Sequence, residues 1–420
     1  MRFYLSFLLL LMISNAFCAN EYGALKYSEN SKDYEYNIKN SLSSEYHDVN
    51  RKSLYYLGTS LSLKEKFFSV KNDLELRLRW NKFVMQSTLG ARKIHKDNST
   101  SSYINQLYYD DKNEYLSWTF GKKIISWGVG HAFRPLDVIQ NENRRAVNPS
   151  ALTGVPLASL EKFTASSAWS LIWANSIYGK NEYKANKSES LALRYFHFAE
   201  NYDLHLVGKF SREKKAEGGL GATYVINENT LLYSSALYTR RYSKIMNSLI
   251  NTASLYSDSN PMRKICYSNG LRANIGYQWT GSSGVGVLFE TYYDGHSYSK
   301  KDWNKLNLLT KNQLFFSYAV PYYALKSNIA WSSYAFTQDN LVRMNSLLRL
   351  SYDNSDGLKP YFDLLYSPDD GGLLSTISIS YEKNNQRYSF GLRNYGGKSG
   401  SVYRNVPEKN VTWFRIDLTF

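Results

Sequence analysis

Ser126, His131 and Asp137 stand close together in the chain and supply a hydroxyl, an imidazole and a carboxylate, the groups of a nucleophilic triad. A triad is defined by geometry rather than by nearness in sequence. No Gly-x-Ser-x-Gly elbow accompanies Ser126, so the expectation is no catalysis. The six histidines, His197 and His205 among them, show no His-x-x-x-His pair or carboxylate cluster at ligand spacing, so no metal and no cofactor are expected. The same stretch carries a different constellation: Trp127, Gly128, Gly130, His131, Arg134, Pro135 and Asp137, followed by Arg144 and Arg145. Gly128 and Gly130 allow tight backbone turns beside the bulky Trp127, and Pro135 forbids continuation as a central strand. Two roles stay open for it. Trp127, Phe133, Arg134 and Asp137 pin an internal segment to a wall, or His131, Arg134, Arg144 and Arg145 line a constriction that touches a solute.

The elements around this stretch are strands. Leu74, Leu76, Leu78 and Trp80 alternate with Glu75, Arg77 and Arg79, and Leu116, Trp118 and Phe120 alternate with Ser117, Thr119 and Gly121. Leu271, Ala273, Ile275, Tyr277 and Trp279 oppose Arg272, Asn274, Gly276 and Gln278. Near the end, Met344, Leu348 and Leu350 oppose Arg343, Asn345 and Arg349, and Tyr388, Phe390 and Leu392 oppose Ser389, Gly391 and Arg393. One apolar and one polar face per run of roughly ten residues is the pattern of a transmembrane β-barrel with a wet interior. It reconciles a mean hydropathy of -0.45 with an aromatic content of 16%, including 37 Tyr. The phasing sends Arg77, Arg79, Arg272, Arg343, Arg349, Arg393 and Arg415 inward. With a formal charge of +15, such a lumen would favour anions, although Glu75 and Asp417 could neutralise part of it.

The ends fix the compartment. Met1-Arg2, the apolar run Leu5 to Ile13 and Ser14 to Ala19 read as a secretory signal over residues 1–19, and acylation at Cys18 is disfavoured by the bulky Phe17. Without Cys18, Cys266 is alone and no internal disulfide is expected. In the last residues Phe414, Ile416, Leu418 and Phe420 alternate with Trp413, Arg415, Asp417 and Thr419. A closing strand with a terminal Phe resembles the signal read by the assembly machinery of Gram-negative outer-membrane barrels. Partners expected are therefore that machinery, outer-membrane lipid and lipopolysaccharide, and a small polar or anionic solute. Arg212-Glu-Lys-Lys215 and Arg240-Arg241 suit lipopolysaccharide phosphates. No nucleic-acid partner is expected in that compartment, and Asn98-Ser-Thr is read as an ordinary loop triplet there.

Residues 20–52 lack a sustained period and are expected to be a mobile periplasmic segment, with the barrel filling 53–420. The fold class is all-β, an antiparallel transmembrane barrel of about 18 strands (16–20), because single-chain bacterial barrels are even-numbered. Short turns such as Asn81-Lys82, Asn227 to Asn229, Val320-Pro321 and Lys383 to Asn385 are assigned to the periplasm, and long connections to the outside. On that count Tyr115 to Lys123 and Ala168 to Ser176 both rise. The segment around 124–167 must then descend as an irregular strand or thread the lumen, or a strand is miscounted and it is a long periplasmic loop.

Gly121-Lys-Lys-Ile-Ile-Ser-Trp-Gly128, followed by Arg134-Pro-Leu-Asp137, is similar to the glycine, Trp-Gly and Pro-x-Asp pattern after an early strand in barrel families related to alginate-export-type channels. The resemblance implies a channel or exporter and names no substrate. The functional expectation is an outer-membrane channel, porin-like, for a polar and possibly anionic solute. The alternative is a barrel whose outer loops bind a surface polymer or partner without transport.

Overall fold

The structure is a computed structural model that describes residues 34–56, 66–95, 97–140, 147–148, 151–175, 188–316, 322–354 and 356–420. These residues form 18 antiparallel strands in one sheet, each paired with its chain neighbour. The first six are β1 (Tyr34–Val49), β2 (Lys66–Trp80), β3 (Phe83–Ile94), β4 (Asp97–Lys112), β5 (Leu116–Lys123) and β6 (Val155–Phe163). Then come β7 (Ser167–Asn175), β8 (Glu189–Phe198), β9 (Tyr202–Ser211), β10 (Lys215–Asn227), β11 (Thr230–Asn247) and β12 (Met262–Thr280). The last are β13 (Val285–Asp294), β14 (Met344–Tyr352), β15 (Leu358–Tyr366), β16 (Gly372–Lys383), β17 (Gln386–Gly397) and β18 (Glu408–Thr419). β1 pairs with both β2 and β18, for instance Ser41 with Asp73 and Asp417, so the sheet closes and has no edge.

Alternation sorts the side chains. Leu116, Trp118 and Phe120 lie exposed on the outer surface while Ser117 and Thr119 turn inward and are buried. Repeated round the wall by Trp169, Leu171 and Trp173, by Leu191 and Leu193, and by Phe390 and Leu392, this gives an apolar outer band suited to lipid. One rim carries only short turns, with Asn81 and Asn384 in the left-handed conformation that two-residue hairpins require (φ 51° and 54°), while the tight β3–β4 and β9–β10 turns lie on the opposite rim. The opposite rim carries the long connections, including 124–154 and 295–343.

Two expectations about the wall are corrected. Residues 34–49, expected in a mobile segment, are the first barrel strand, and 20–33 lie outside the described residues. Asn40 and Ser44 sit on the outward face of β1 between Ile38, Leu42 and Tyr46, which dilutes the apolar period that would have marked a strand. Because β1 bridges β2 and β18, a chain lacking 34–49 should fail to give the compact, heat-modifiable form on detergent gels that the full chain gives. The second correction is β6. Residues 155–163 are regular wall, descending between the rising β5 and β7, so the interruption narrows to 124–154 and enters from the long-loop rim.

The connection 295–343 folds as α1 (Lys300–Phe315) and α2 (Tyr322–Ser332), and the expected Val320-Pro321 turn lies outside the described residues. Ser299 and Asp302 form a reciprocal capping box at the start of α1. Trp303, Leu306 and Leu325 then pack with Tyr55, Val402 and Tyr403, and against the inward-facing Tyr267, Leu365 and Tyr395. The helices therefore fold over the mouth of the barrel.

Candidate functional site: a loop folded into the lumen

The loop 124–154 is built by its own polar groups. Asp137 accepts hydrogen bonds from the backbone N–H groups of Trp127 (2.7 Å) and Gly128 (2.6 Å) and from the Ser126 hydroxyl (3.0 Å). Arg134 donates to the same hydroxyl (3.1 Å) and, through Nε, to the Gly130 carbonyl (2.9 Å). Arg134 and Asp137 thus brace the turn through Ser126. Burial pushes the Asp137 carboxyl above its ordinary range, opposed by these donors and by Arg134. The glycines are required. Gly130 has a φ of 123°, and a Cβ there would stand 2.2 Å from the Phe133 carbonyl. Gly130→Val should destabilise the loop by roughly 1–3 kcal/mol while leaving the wall folded. Limited proteolysis would show new cleavage in 124–140 on an intact barrel.

One side of the loop is apolar. Trp127, Leu136, Val138 and Ile139 are buried against the inward-facing Val155, Leu157, Ile172, Ala174, Ala192, Val207 and Leu237 of β6 to β9 and β11. Trp127, a candidate for either pinning the segment or lining the pore, is 5% exposed and packs against the wall, so it anchors the loop. This packing also explains why β6 hid from the sequence pattern, since Val155 and Leu157 make the first half of its lumen face apolar while Pro156, Ala158 and Lys162 weaken its lipid face.

The loop reaches across the lumen from there. The buried Glu290 of β13 accepts from the backbone N–H groups of Ala132 (2.8 Å) and Phe133 (3.3 Å), and Asn274 of β12 donates to the Phe133 carbonyl (3.1 Å). Phe133 stacks on Tyr292 at 4.4 Å, and Lys209 donates to the Val138 carbonyl at 2.5 Å. At the tip, Arg349 of β14 lies 2.6 Å from His131 Nε2, with its other edge held bidentate by Asp363 (2.6 Å each) and its plane over Tyr361. Arg349 donates, so His131 accepts in its neutral form. On the return, Asn148 donates to Glu45 of β1 (2.9 Å), and Asn105 of β4 donates to the Leu152 carbonyl (3.1 Å). The loop therefore spans from β14 to β1. Arg349→Ala should loosen the tip, and a spin label placed at Ala132 should gain mobility relative to the same label beside an intact Arg349.

The remaining arc of wall, β14 to β18 and β1 to β3, carries mostly polar side chains on its lumen face. Arg77 and Arg79 face the lumen near the short-turn rim, exposed, and no carboxylate pairs with either among the described residues. Arg393 donates to Thr376 (3.1 Å), and Arg415 pairs with Asp417 (2.8 Å), which Lys39 also approaches (3.7 Å). Arg272 and Arg343 lie on the other side of the loop, toward the long-loop rim beside Asp294, rather than on this arc. Arg144 and Arg145 lie outside the described residues.

The same architecture recurs in solved structures. OccAB1 of Acinetobacter baumannii superposes with a TM-score of 0.56 over 93% of this chain and 97% of its own, at 9% identity. The fold is a porin fold. OccAB2 of the same organism (TM-score 0.48, 10% identity, 92% and 98% covered) and a mutant Rhodopseudomonas blastica porin (0.44, 10%, 92% and 100%) also match. No family model and no curated protein matches the sequence, so the likeness of 121–137 to alginate-export-type barrels rests on those residues alone. Within this porin-fold barrel the triad-like trio does not assemble. Asp137 holds Ser126, while His131 turns to Arg349.

Sequence reasoning found the loop and the phase of the arginines. It missed Glu290, Asn274 and Asn148, whose partners are remote in sequence. The one available signal was a Glu on the lumen-facing phase of β13.

Proposed function

We propose that the chain is an outer-membrane channel that passes small polar solutes, anions preferentially, through the gap between the 124–154 loop and the arc of β14 to β18 and β1 to β3. The supporting observation is that the described part of the loop packs on the apolar half of the lumen and meets the polar arc through Arg349 and Glu45. There Lys39, Arg77, Arg79, Arg349, Arg393 and Arg415 face the lumen. Arg349 and Arg415 pair with Asp363 and Asp417, Lys71 and Lys359 with Asp73 and Glu382, and no carboxylate lies within ion-pair distance of Arg77 or Arg79 among the described residues. Fixed cations along a narrow passage concentrate anions and lower their entry barrier. The short turns then face the periplasm and the capped rim faces outward, in a Gram-negative outer membrane.

Liposome swelling tests this with solutes of equal size. A small monocarboxylate should enter faster than a neutral sugar alcohol, and that faster than an amine cation. A folded protein that admits none of them, even with residues 126–139 replaced by a short glycine linker, would refute the channel and favour the attachment reading.

A further inference from the structure

The long-loop rim carries a basic patch on its lipid-facing side that the passage does not use. β11 and β12 are 18 and 19 residues long, whereas about 9–11 tilted residues cross a bilayer. Their far ends therefore project beyond the apolar band. The continuous band ends on these strands at Tyr238 and Leu271, both 46% exposed, with Ile245 a single exposed apolar side chain farther along β11. Immediately beyond, the in-and-out alternation breaks opposite Asn269, whose φ is 60°, and Arg240 and Arg241 are both exposed. The β9–β10 turn leans over from the neighbouring hairpin. The Lys214 carbonyl accepts from the Arg241 N–H (3.2 Å), and Glu213 pairs with Lys264 on β12. Arg212 and Lys215 of that turn are exposed beside them, while Lys214 points inward to Glu217 (3.3 Å). Among the described residues no carboxylate pairs with Arg212, Lys215, Arg240 or Arg241, and Glu213 offsets Lys264 alone.

We propose that Arg212, Lys215, Arg240 and Arg241 form a binding site for the phosphate groups of lipopolysaccharide, the anionic glycolipid of the outer leaflet. Two observations carry it. The cations sit one to three residues past the last lipid-facing aromatic, the depth at which lipid phosphates lie, and they converge from two hairpins. Guanidinium groups clamp phosphate oxygens bidentately, and the acyl chains continue down the apolar face past Tyr238, Leu271 and Phe210. The site faces lipid, so it is independent of what the lumen conducts.

The test uses the full chain in detergent, titrated with bisphosphorylated lipid A and read by native mass spectrometry. Wild type should retain lipid A, and the variant carrying Arg212→Gln, Lys215→Gln, Arg240→Gln and Arg241→Gln should bind it at least tenfold more weakly, with Arg393→Gln unchanged. Equal retention by the fourfold variant overturns the proposal. A second arm uses unmodified protein, so it does not depend on the variant folding. Dephosphorylated lipid A should bind at least tenfold more weakly than the bisphosphorylated form, and equal binding overturns phosphate recognition. Inorganic phosphate at the same concentration should not displace the lipid, and displacement would replace the glycolipid by free anion.

Discussion

Asp137→Ala should convert a steady single-channel current into one with several-fold greater noise, while the barrel keeps its heat-modifiable mobility. The substitution strips the acceptor from the Trp127 and Gly128 N–H groups and from the Ser126 hydroxyl. Each buried donor left unpaired costs about 1–3 kcal/mol, so the two backbone N–H groups alone cost the loop roughly 2–6 kcal/mol. Burial of Trp127, Leu136, Val138 and Ile139 contributes about 1.5–3 kcal/mol per side chain, which keeps the loop in the lumen. A loosened loop, not an expelled one, is the expected state. Asp137→Asn retains carbonyl acceptance toward both N–H groups and should restore most of the quiet current. Noise unchanged in the alanine variant would mean that the loop is not what shapes the passage.

The second large effect is electrostatic. Arg77→Glu combined with Arg79→Glu changes the charge at these two positions from +2 to -2. No carboxylate lies within ion-pair distance of either arginine among the described residues, Glu35 standing across from Arg79 without pairing. The Debye length is about 8 Å at physiological salt, so charges in a narrow mouth act on ions passing within it. The ratio of chloride to potassium permeability should fall several-fold, and more at low salt than at high salt. Arg415→Gln should change the ratio less, because Asp417 already offsets that arginine at 2.8 Å. Equal effects of the two changes would contradict the assignment of unpaired charge to Arg77 and Arg79.

Much of this molecule was legible in the chain because a barrel wall writes a period of two. Leu74 to Trp80, Leu116 to Phe120 and Tyr388 to Leu392 gave strand, phase and facing, and the rise of both Tyr115 to Lys123 and Ala168 to Ser176 showed that something between them had to descend. What stayed hidden lay where the solvent on one face is not the usual one. Val155 and Leu157 turn toward the lumen yet meet protein, so β6 lost its polar phase. Asn40 and Ser44 turn outward, so β1 lost its apolar phase. Trp303, Leu306 and Leu309 follow a helical spacing on α1, but over so short an excursion that the long-loop reading absorbed them. Pairs such as Glu290 with Ala132 are set by where a loop lands on a closed wall, and no local pattern encodes that.

The reversal potential of single channels of the full chain across a potassium chloride gradient bears most directly on the account. A passage bounded by the 124–154 loop and the arginine-bearing arc predicts a potential displaced toward the chloride equilibrium value, with the displacement lost in the variant carrying Arg77→Glu and Arg79→Glu. A wild-type potential displaced toward the potassium value would contradict it.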